Sequence, residues 1–268
     1  MGFKLGLAQC CHPADGDVVR MVDEWAGRAK EAQVDLLVFP ESLMTPFEQS
    51  PEEFAKAAEP LDGPFCQAVD QVASRHGIWM VYTANERGGT FPFNTAVVVD
   101  DAGKRHGIYR KAHLFDTDFV KESDKISGGD SLFAPIDTPF CKLGLGICYD
   151  VRFPELARTA ALSGCQLLVY PAAWVDGSRK VEQWRTLLAA RAIENEIFVA
   201  GLSRCDRGFG KAQRDYAGHS CVFGPLGEEL ASAGVAEQLL VADIDLAAID
   251  AARAAMPVLD HRRPELYG

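Results

Sequence analysis

Residues 140–155 read Phe140-Cys141-Lys142-Leu143-Gly144-Leu145-Gly146-Ile147-Cys148-Tyr149-Asp150-Val151-Arg152-Phe153-Pro154-Glu155, and this stretch decides the fold class. The part up to Ile147 alternates and is apolar enough for a buried strand. Asp150 begins a turn, and Pro154 opens an amphipathic helix that runs to about Ser163. Cys148 therefore falls at a sharp strand-to-helix junction, where a nucleophile can be presented to a pocket. Gly144 and Gly146 let backbone or substrate approach it closely. Two further ionisable residues hold matching positions: Glu41 closes Leu36-Leu37-Val38-Phe39-Pro40, and Lys111 follows Ile108-Tyr109-Arg110. A glutamate, a lysine and a cysteine, each at the mouth end of its own strand, describe a hydrolase site without a histidine.

Strand and helix patterns alternate on both sides of this stretch. Strands are predicted at 3–10, 35–39, 79–83, 93–99, 107–109, 143–147, 167–170, 198–203, 218–224 and 238–243. Helices are predicted at 15–32, 51–58, 64–76, 154–163 and 181–195. The first carries Val18, Met21, Val22, Trp25 and Ala29 on one face, and Gly77 caps the exit of the third. Asp100-Asp101-Ala102-Gly103 and Gly224-Pro225-Leu226-Gly227 are hairpin turn signals. No linker, repeat or low-complexity segment interrupts the pattern, so residues 1–268 are expected to form one domain. Patterning alone reaches α/β, with two mixed sheets packed together and helices outside.

Phe39-Pro40-Glu41, Tyr109-Arg110-Lys111-Ala112-His113-Leu114-Phe115 and 146–155 resemble the three signature blocks of the nitrilase superfamily of carbon–nitrogen hydrolases. The resemblance is strongest to the branch holding the ω-amidases. It runs nearly end to end, through Arg191-Ala192-Ile193-Glu194-Asn195 to the tail His261-Arg262-Arg263-Pro264-Glu265-Leu266-Tyr267. One block would be weak; three in order and spacing are strong. The resemblance implies a four-layer αββα sandwich, usually dimerised through helical faces, and a cofactor-free amidase. It also implies a supporting glutamate downstream of the lysine block, a role that falls to Glu122, with Asp124 as the fallback.

Bulk properties narrow the partners. A hydrophobic fraction of 48% and a charged fraction of 24% are ordinary for a globular protein, and allow a sizeable core without staples. A net charge of -11 argues against nucleic acid or an anionic membrane, since either selects for basic patches. A small-molecule amide remains open as the substrate. The chain enters a strand at once from Met1-Gly2-Phe3 and holds no apolar run long enough to span a bilayer, so a cytoplasmic location is expected. Eight scattered cysteines, several inside strands, read as reduced core thiols. Cys10, Cys11 and His12 are adjacent, but no second pair has metal-ligand spacing, and no metal is expected.

The candidate chemistry is acyl transfer. A free thiol titrates near ~8.5 and needs a base or a nearby cation. Glu41 would take the Cys148 proton, deliver it to departing ammonia and then activate water against the thioester. Lys111 would face the developing oxyanion, helped by the Tyr149 backbone N–H; one such donor is worth about 3–4 kcal/mol. Each residue has a bland reading: strand-exit charge, solvated basic pair, packing thiol. Taken jointly they favour catalysis.

Other residues carry weaker readings. Phe115, Tyr149 and Trp174 are candidate pocket walls, with core burial as the alternative for Trp174. Arg152 could clamp a substrate carboxylate, or pair with Glu155 or Asp150 to fix the turn. His113 reads as packing near Lys111, and His219 as a weaker candidate base. The glycines of Gly144-Leu145-Gly146 lack the third glycine of a dinucleotide loop. Rival functions are an N-carbamoyl amino acid hydrolase and a catalytically silent scaffold of the same fold; a true nitrilase ranks lower. A homodimer or higher homo-oligomer is expected from the resemblance and from the apolar face formed by Trp184, Leu187 and Leu188.

Overall fold

The computed structural model describes residues 2–118, 120–205 and 216–266; Phe119 and Tyr267 lie outside them. Period-two alternation sorts the first sheet into two faces. In β1 (Gly2–Gln9), Leu5 and Leu7 enter one apolar cluster and Ala8 another. The same split separates Leu36 and Val38 from Leu37 in β2 (Leu36–Val38). It separates Trp79 and Val81 from Met80 and Tyr82 in β3 (Trp79–Glu86), and Ala96 and Val98 from Val97 and Val99 in β4 (Phe93–Val99). With β5 (Arg105–Arg110) and β12 (Gln238–Asp245), these strands form a sheet ordered β12-β1-β2-β3-β4-β5. Both faces are buried, which is why the strands read as near-continuous apolar runs.

One face is covered by α1 (Val18–Glu31) and α3 (Pro64–His76), which bury Val22, Trp25, Ala26, Val69 and Val72. Gly77 ends α3 in the left-handed region at φ 58, as its sequence position predicts. The opposite face meets a second sheet: β6 (Ile136–Asp137), β7 (Lys142–Leu145), β8 (Leu167–Ala172), β9 (Phe198–Ser203), β10 (Cys221–Phe223) and β11 (Glu229–Ser232). Its order is β11-β10-β9-β8-β7-β6. Beyond it lie α4 (Pro154–Leu162) and α5 (Lys180–Ile193), completing the αββα layers. The short α2 (Pro51–Ala57) leads into α3, and α6 (Ala247–Ala255) follows β12.

Several boundaries differ from the expected ones for local reasons. β7 stops at Leu145 because the Ile147 N–H turns to the Asp150 carboxylate, 2.8 Å away. β3 runs on to Glu86 because Met80 to Glu86 pair with β4. β10 is shorter than 218–224, since Gly218 and His219 adopt φ 63 and φ 51. The alanine-rich α6 escaped the sequence reading, having only Ile249 and Ala252 to bury.

The apolar face of α5 requires a correction. Trp184 and Leu188 are wholly buried within the chain, against β9. A Cβ on Gly201 would stand 2.3 Å from Leu188 Cδ1 and 2.5 Å from Trp184 Cζ2, so the helix packs flush on a glycine. These residues build the core rather than a dimer face; Leu187 is half-buried. Among the described residues, no helix is long and apolar enough to cross a membrane.

Candidate active site

In each sheet three adjacent strands run parallel: β1-β2-β3 in the first and β7-β8-β9 in the second. The carboxyl ends of β2, β5, β7 and β8 meet at one small pocket. Glu41, Lys111, Glu122, Cys148, Phe115, Tyr149 and Trp174 all line it. Arg152 does not; it lines the opening outside, with Phe115, Tyr149 and Lys180.

Glu41 is held from both sides. Thr83 of β3 donates its hydroxyl to the Pro40 carbonyl at 2.9 Å and accepts the Leu43 N–H at 3.1 Å. The next residue, Ser42, takes φ 55, and its carbonyl accepts from Arg204 Nη1 at 2.7 Å. The Glu41 carboxylate is buried and fully engaged. Oε1 accepts from Lys111 Nζ at 2.9 Å and Asn94 Nδ2 at 2.8 Å, and Oε2 accepts the Ala173 N–H at 2.7 Å. The Ala173 bond crosses from one sheet to the other.

Lys111 Nζ also donates to both oxygens of Glu122, at 2.9 and 2.8 Å. Glu122 lies in a short 3-10 turn, Glu122–Asp124, and its Oε2 accepts the Phe115 N–H at 2.7 Å. That closes the loop after the lysine block over its own ammonium. The neighbouring Asp124 is exposed, whereas Glu122 is buried against Lys111. Burial alone would lower the Lys111 pKa; the Glu122 and Glu41 carboxylates overcome it and hold the ammonium well above the usual lysine range. Burial pushes the Glu122 carboxyl up, against the pull of Lys111, with Glu41 adding to the rise.

Cys148 opens a 3-10 turn, Cys148–Arg152, between β7 and α4, and takes φ 48. A left-handed cysteine is strained by roughly 1–2 kcal/mol, and a rigid frame holds it there. Asp150 is that frame. Fully buried, it accepts from Ile147 N–H and Tyr109 O–H at 2.8 Å each, and from His113 N–H at 3.1 Å. His113 Nδ1 adds a fourth contact at 2.7 Å, while the ring stacks on Phe153. One aspartate thus ties the cysteine turn to the lysine block, with His113 both packed on Phe153 and bonded to Asp150. Gly146 is required beneath the turn, since a Cβ there would stand 2.4 Å from Tyr170 Cε1.

The thiol is half-buried, facing the pocket. Burial first, and then the adjacent Glu41 carboxylate, push it well above the usual thiol range, with Lys111 opposing. The resting group is therefore a neutral thiol beside a carboxylate able to take its proton.

Three other sequence readings have definite outcomes. Arg152 pairs with neither Glu155 nor Asp150; its Nη2 donates to Gln183 Oε1 at 2.7 Å. Trp174 satisfies both of its readings, being buried and lining the pocket. Cys10 and Cys11 are buried, but the fold brings Cys205 to Cys11, sulfurs 2.7 Å apart, beside Glu237. Sequence spacing could not show that meeting. Sequence reasoning also missed Asn94 and Lys180, and took Asp150 only as the start of the turn or a candidate partner of Arg152. Asn94 left a faint signal, an amide inside an otherwise apolar strand.

Residues 4–254 match the family model for carbon–nitrogen hydrolase. The chain belongs to the nitrilase superfamily of carbon–nitrogen hydrolases. Among relatives of this hydrolase family, omega-amidase NIT2-B of Xenopus laevis is 36% identical over 273 residues, covering 99% of this chain and 96% of that one. The NitFhit protein of C. elegans superposes with a TM-score of 0.91 at 30% identity, over all of this hydrolase and 66% of that chain. A mutant amidase from Nesterenkonia sp. AN1 superposes with a TM-score of 0.82 at 27% identity, covering 100% of this chain and 98% of that one. That structure shows Michael addition of acrylamide at its active site cysteine.

Proposed function

We propose that residues 1–268 act as one amidase domain that hydrolyses a small linear carboxamide to carboxylate and ammonia through a Cys148 thioester. The observation that carries this reading is the convergence of Cys148, Glu41 and the doubly paired Lys111 on one small pocket. Glu41 takes the thiol proton as Cys148 attacks, returns it to the leaving ammonia, and then draws a proton from the water that cleaves the thioester. Lys111 and the Tyr149 N–H stabilise the oxyanion. Glu122 is a positioning residue that fixes the Lys111 ammonium. Proton transfer from Cys148 to Glu41 leaves the net charge of the four groups unchanged, which suits a desolvated pocket.

Similarity to omega-amidases supports short dicarboxylic monoamides as the substrates. An N-carbamoyl amino acid is the second reading, and a silent scaffold the third. The intact, connected Glu41–Lys111–Glu122 set argues against the scaffold. The family model's span of residues 4–254 supports a single domain. A cytoplasmic location fits the eight free thiols. A homodimer through surfaces other than Trp184 and Leu188 completes the reading; a monomeric mass by light scattering at micromolar concentration would remove it.

The test is ammonia release from a panel of small amides and N-carbamoyl amino acids, with carbon dioxide followed for the latter, by the protein and its Cys148→Ala variant. Turnover of an amide that the variant lacks supports the reading. Carbon dioxide release moves it to the carbamoyl class. Absence of turnover on every member, with Cys148 no more alkylatable than the other seven cysteines, moves it to the scaffold.

A further inference from the structure

The outer half of the pocket holds two cations that the reaction above does not use. Lys180, the first residue of α5, lines the pocket with Cys148 and continues into the opening that Arg152 lines. Lys180 Nζ lies 4.9 Å from the centre of the Trp174 ring and 5.3 Å from that of Phe115. The Arg152 guanidinium lies 5.0 Å from Trp174 and 5.9 Å from Tyr149. Both cations thus stand over the aromatic walls of one passage.

Neither has a carboxylate partner among the described residues. Arg152 donates to the neutral Gln183 amide, and the Lys180 ammonium meets only aromatic faces. Asp118 lines the same opening without an ion pair to either. The acids on the pocket floor, Glu41 and Glu122, are engaged by Lys111. Burial, and then the charge of Arg152, pull the Lys180 ammonium below the usual lysine range. Two half-buried cations that repel each other, in a chain of net charge -11, cost free energy until an anion joins them.

We infer that Lys180, with Arg152 beside it, forms an anion subsite that holds the far carboxylate of a short linear amide whose carbonyl carbon lies at Cys148. The aromatic rings of Phe115, Tyr149 and Trp174 flank the methylenes between the two ends. Lys180 is the specificity-determining member because, of the two cations, it is the one that lines both the pocket and its opening. The inference rests on the amidase reading for its substrate, but the subsite can be measured apart from turnover. An N-carbamoyl amino acid also ends in a carboxylate, so the test varies charge and not the leaving group.

The first arm compares succinamate with butanamide, its uncharged counterpart of equal chain length, on the protein, Lys180→Met and Lys180→Arg. The protein should prefer succinamate. Lys180→Met should lower the succinamate-to-butanamide ratio of kcat/KM about 10- to 100-fold, chiefly through the KM for succinamate, and Lys180→Arg should keep most of it. The second arm measures succinamate binding by calorimetry to Cys148→Ala and to Cys148→Ala/Lys180→Met. Binding that depends on Lys180 supports the subsite whether or not ammonia is released. Dependence on Lys180 with no turnover of either amide would refute the amidase reading while leaving the subsite standing. An unchanged ratio in Lys180→Met, equal binding by both proteins, or binding by neither overturns the subsite.

Discussion

Lys111→Met should uncouple what the site needs for stability from what it needs for chemistry. Lys111 is the cation between Glu41 and Glu122, and all three are almost wholly excluded from water. Methionine keeps the volume of the stem but leaves two buried carboxyl groups without their counter-charge. Removing one partner from a buried ion pair costs about 3–5 kcal/mol. At about 2–4 °C per kcal/mol for a chain of this size, Tm should fall by roughly 6–20 °C. The fall should depend on pH. Burial already raises the Glu122 pKa above its unfolded value, and loss of the opposing Lys111 raises it further. A carboxyl with a raised folded pKa destabilises the fold as pH climbs from its unfolded pKa through its folded one. The deficit should therefore be small near pH 5 and large near pH 8. Adding Glu122→Gln removes one of the stranded charges, so the double variant should recover much of the Tm at pH 8. It should not recover turnover, because the oxyanion partner is still missing and kcat stays down about 10²–10³-fold. Thermal melts across pH 5–8 with parallel ammonia assays read both effects. An unchanged Tm for Lys111→Met over that range, or near-normal turnover in the double variant, would refute the reasoning.

Four further outcomes follow from the geometry. Alkylation of Cys148 by a small neutral reagent should keep rising through pH 9, because burial and Glu41 hold the thiol high; a plateau below pH 8 contradicts this. Glu41→Gln should speed that alkylation at pH 8 by removing the carboxylate's charge, yet abolish amide turnover; slower alkylation would show that Glu41 does not raise the thiol. Asp150→Asn should cost on the order of 1–3 kcal/mol, since an amide cannot accept from Ile147, Tyr109 and His113 together, and kcat should fall with Tm. Turnover untouched by this change would remove Asp150 as the anchor of the turn. Gly146→Ala should destabilise by about 1–3 kcal/mol through the contact with Tyr170, and Tyr170→Leu in the same chain should restore part of it, as melts would show.

The strands were legible because each buried face repeats every second residue, as Leu36-Leu37-Val38 and Ala96-Val97-Val98-Val99 do on two sides of one sheet. Glu41, Lys111 and Cys148 were legible because each ends such a run, and Glu122 through the family resemblance. Asp150 was not, because its role lies in contacts made across the sheets, to Tyr109 and His113. Lys180 looked like an ordinary charge at the start of a helix; only the fold places it over Trp174. The α5 face misled for the opposite reason. An apolar stripe states that a surface will be covered, and Gly201 of the same chain supplies the cover. Nor could spacing reveal that Cys205 meets Cys11 across the two sheets.

The division of the site between sheets bears on how the chain acquires reactivity. Glu41 and Lys111 issue from the sheet containing β2 and β5, while Cys148 and Ala173 issue from the sheet containing β7 and β8. The bond from the Ala173 N–H to Glu41 joins residues 132 positions apart. Contacts of that sequence span form late in folding, after the entropy of closing long loops has been met. Until the sheets dock, Cys148 has neither Glu41 nor Lys111 beside it and is one thiol among eight. A nascent or partly unfolded chain should therefore not turn over amide, and the return of ammonia release during refolding becomes a direct clock for the closing of the sandwich.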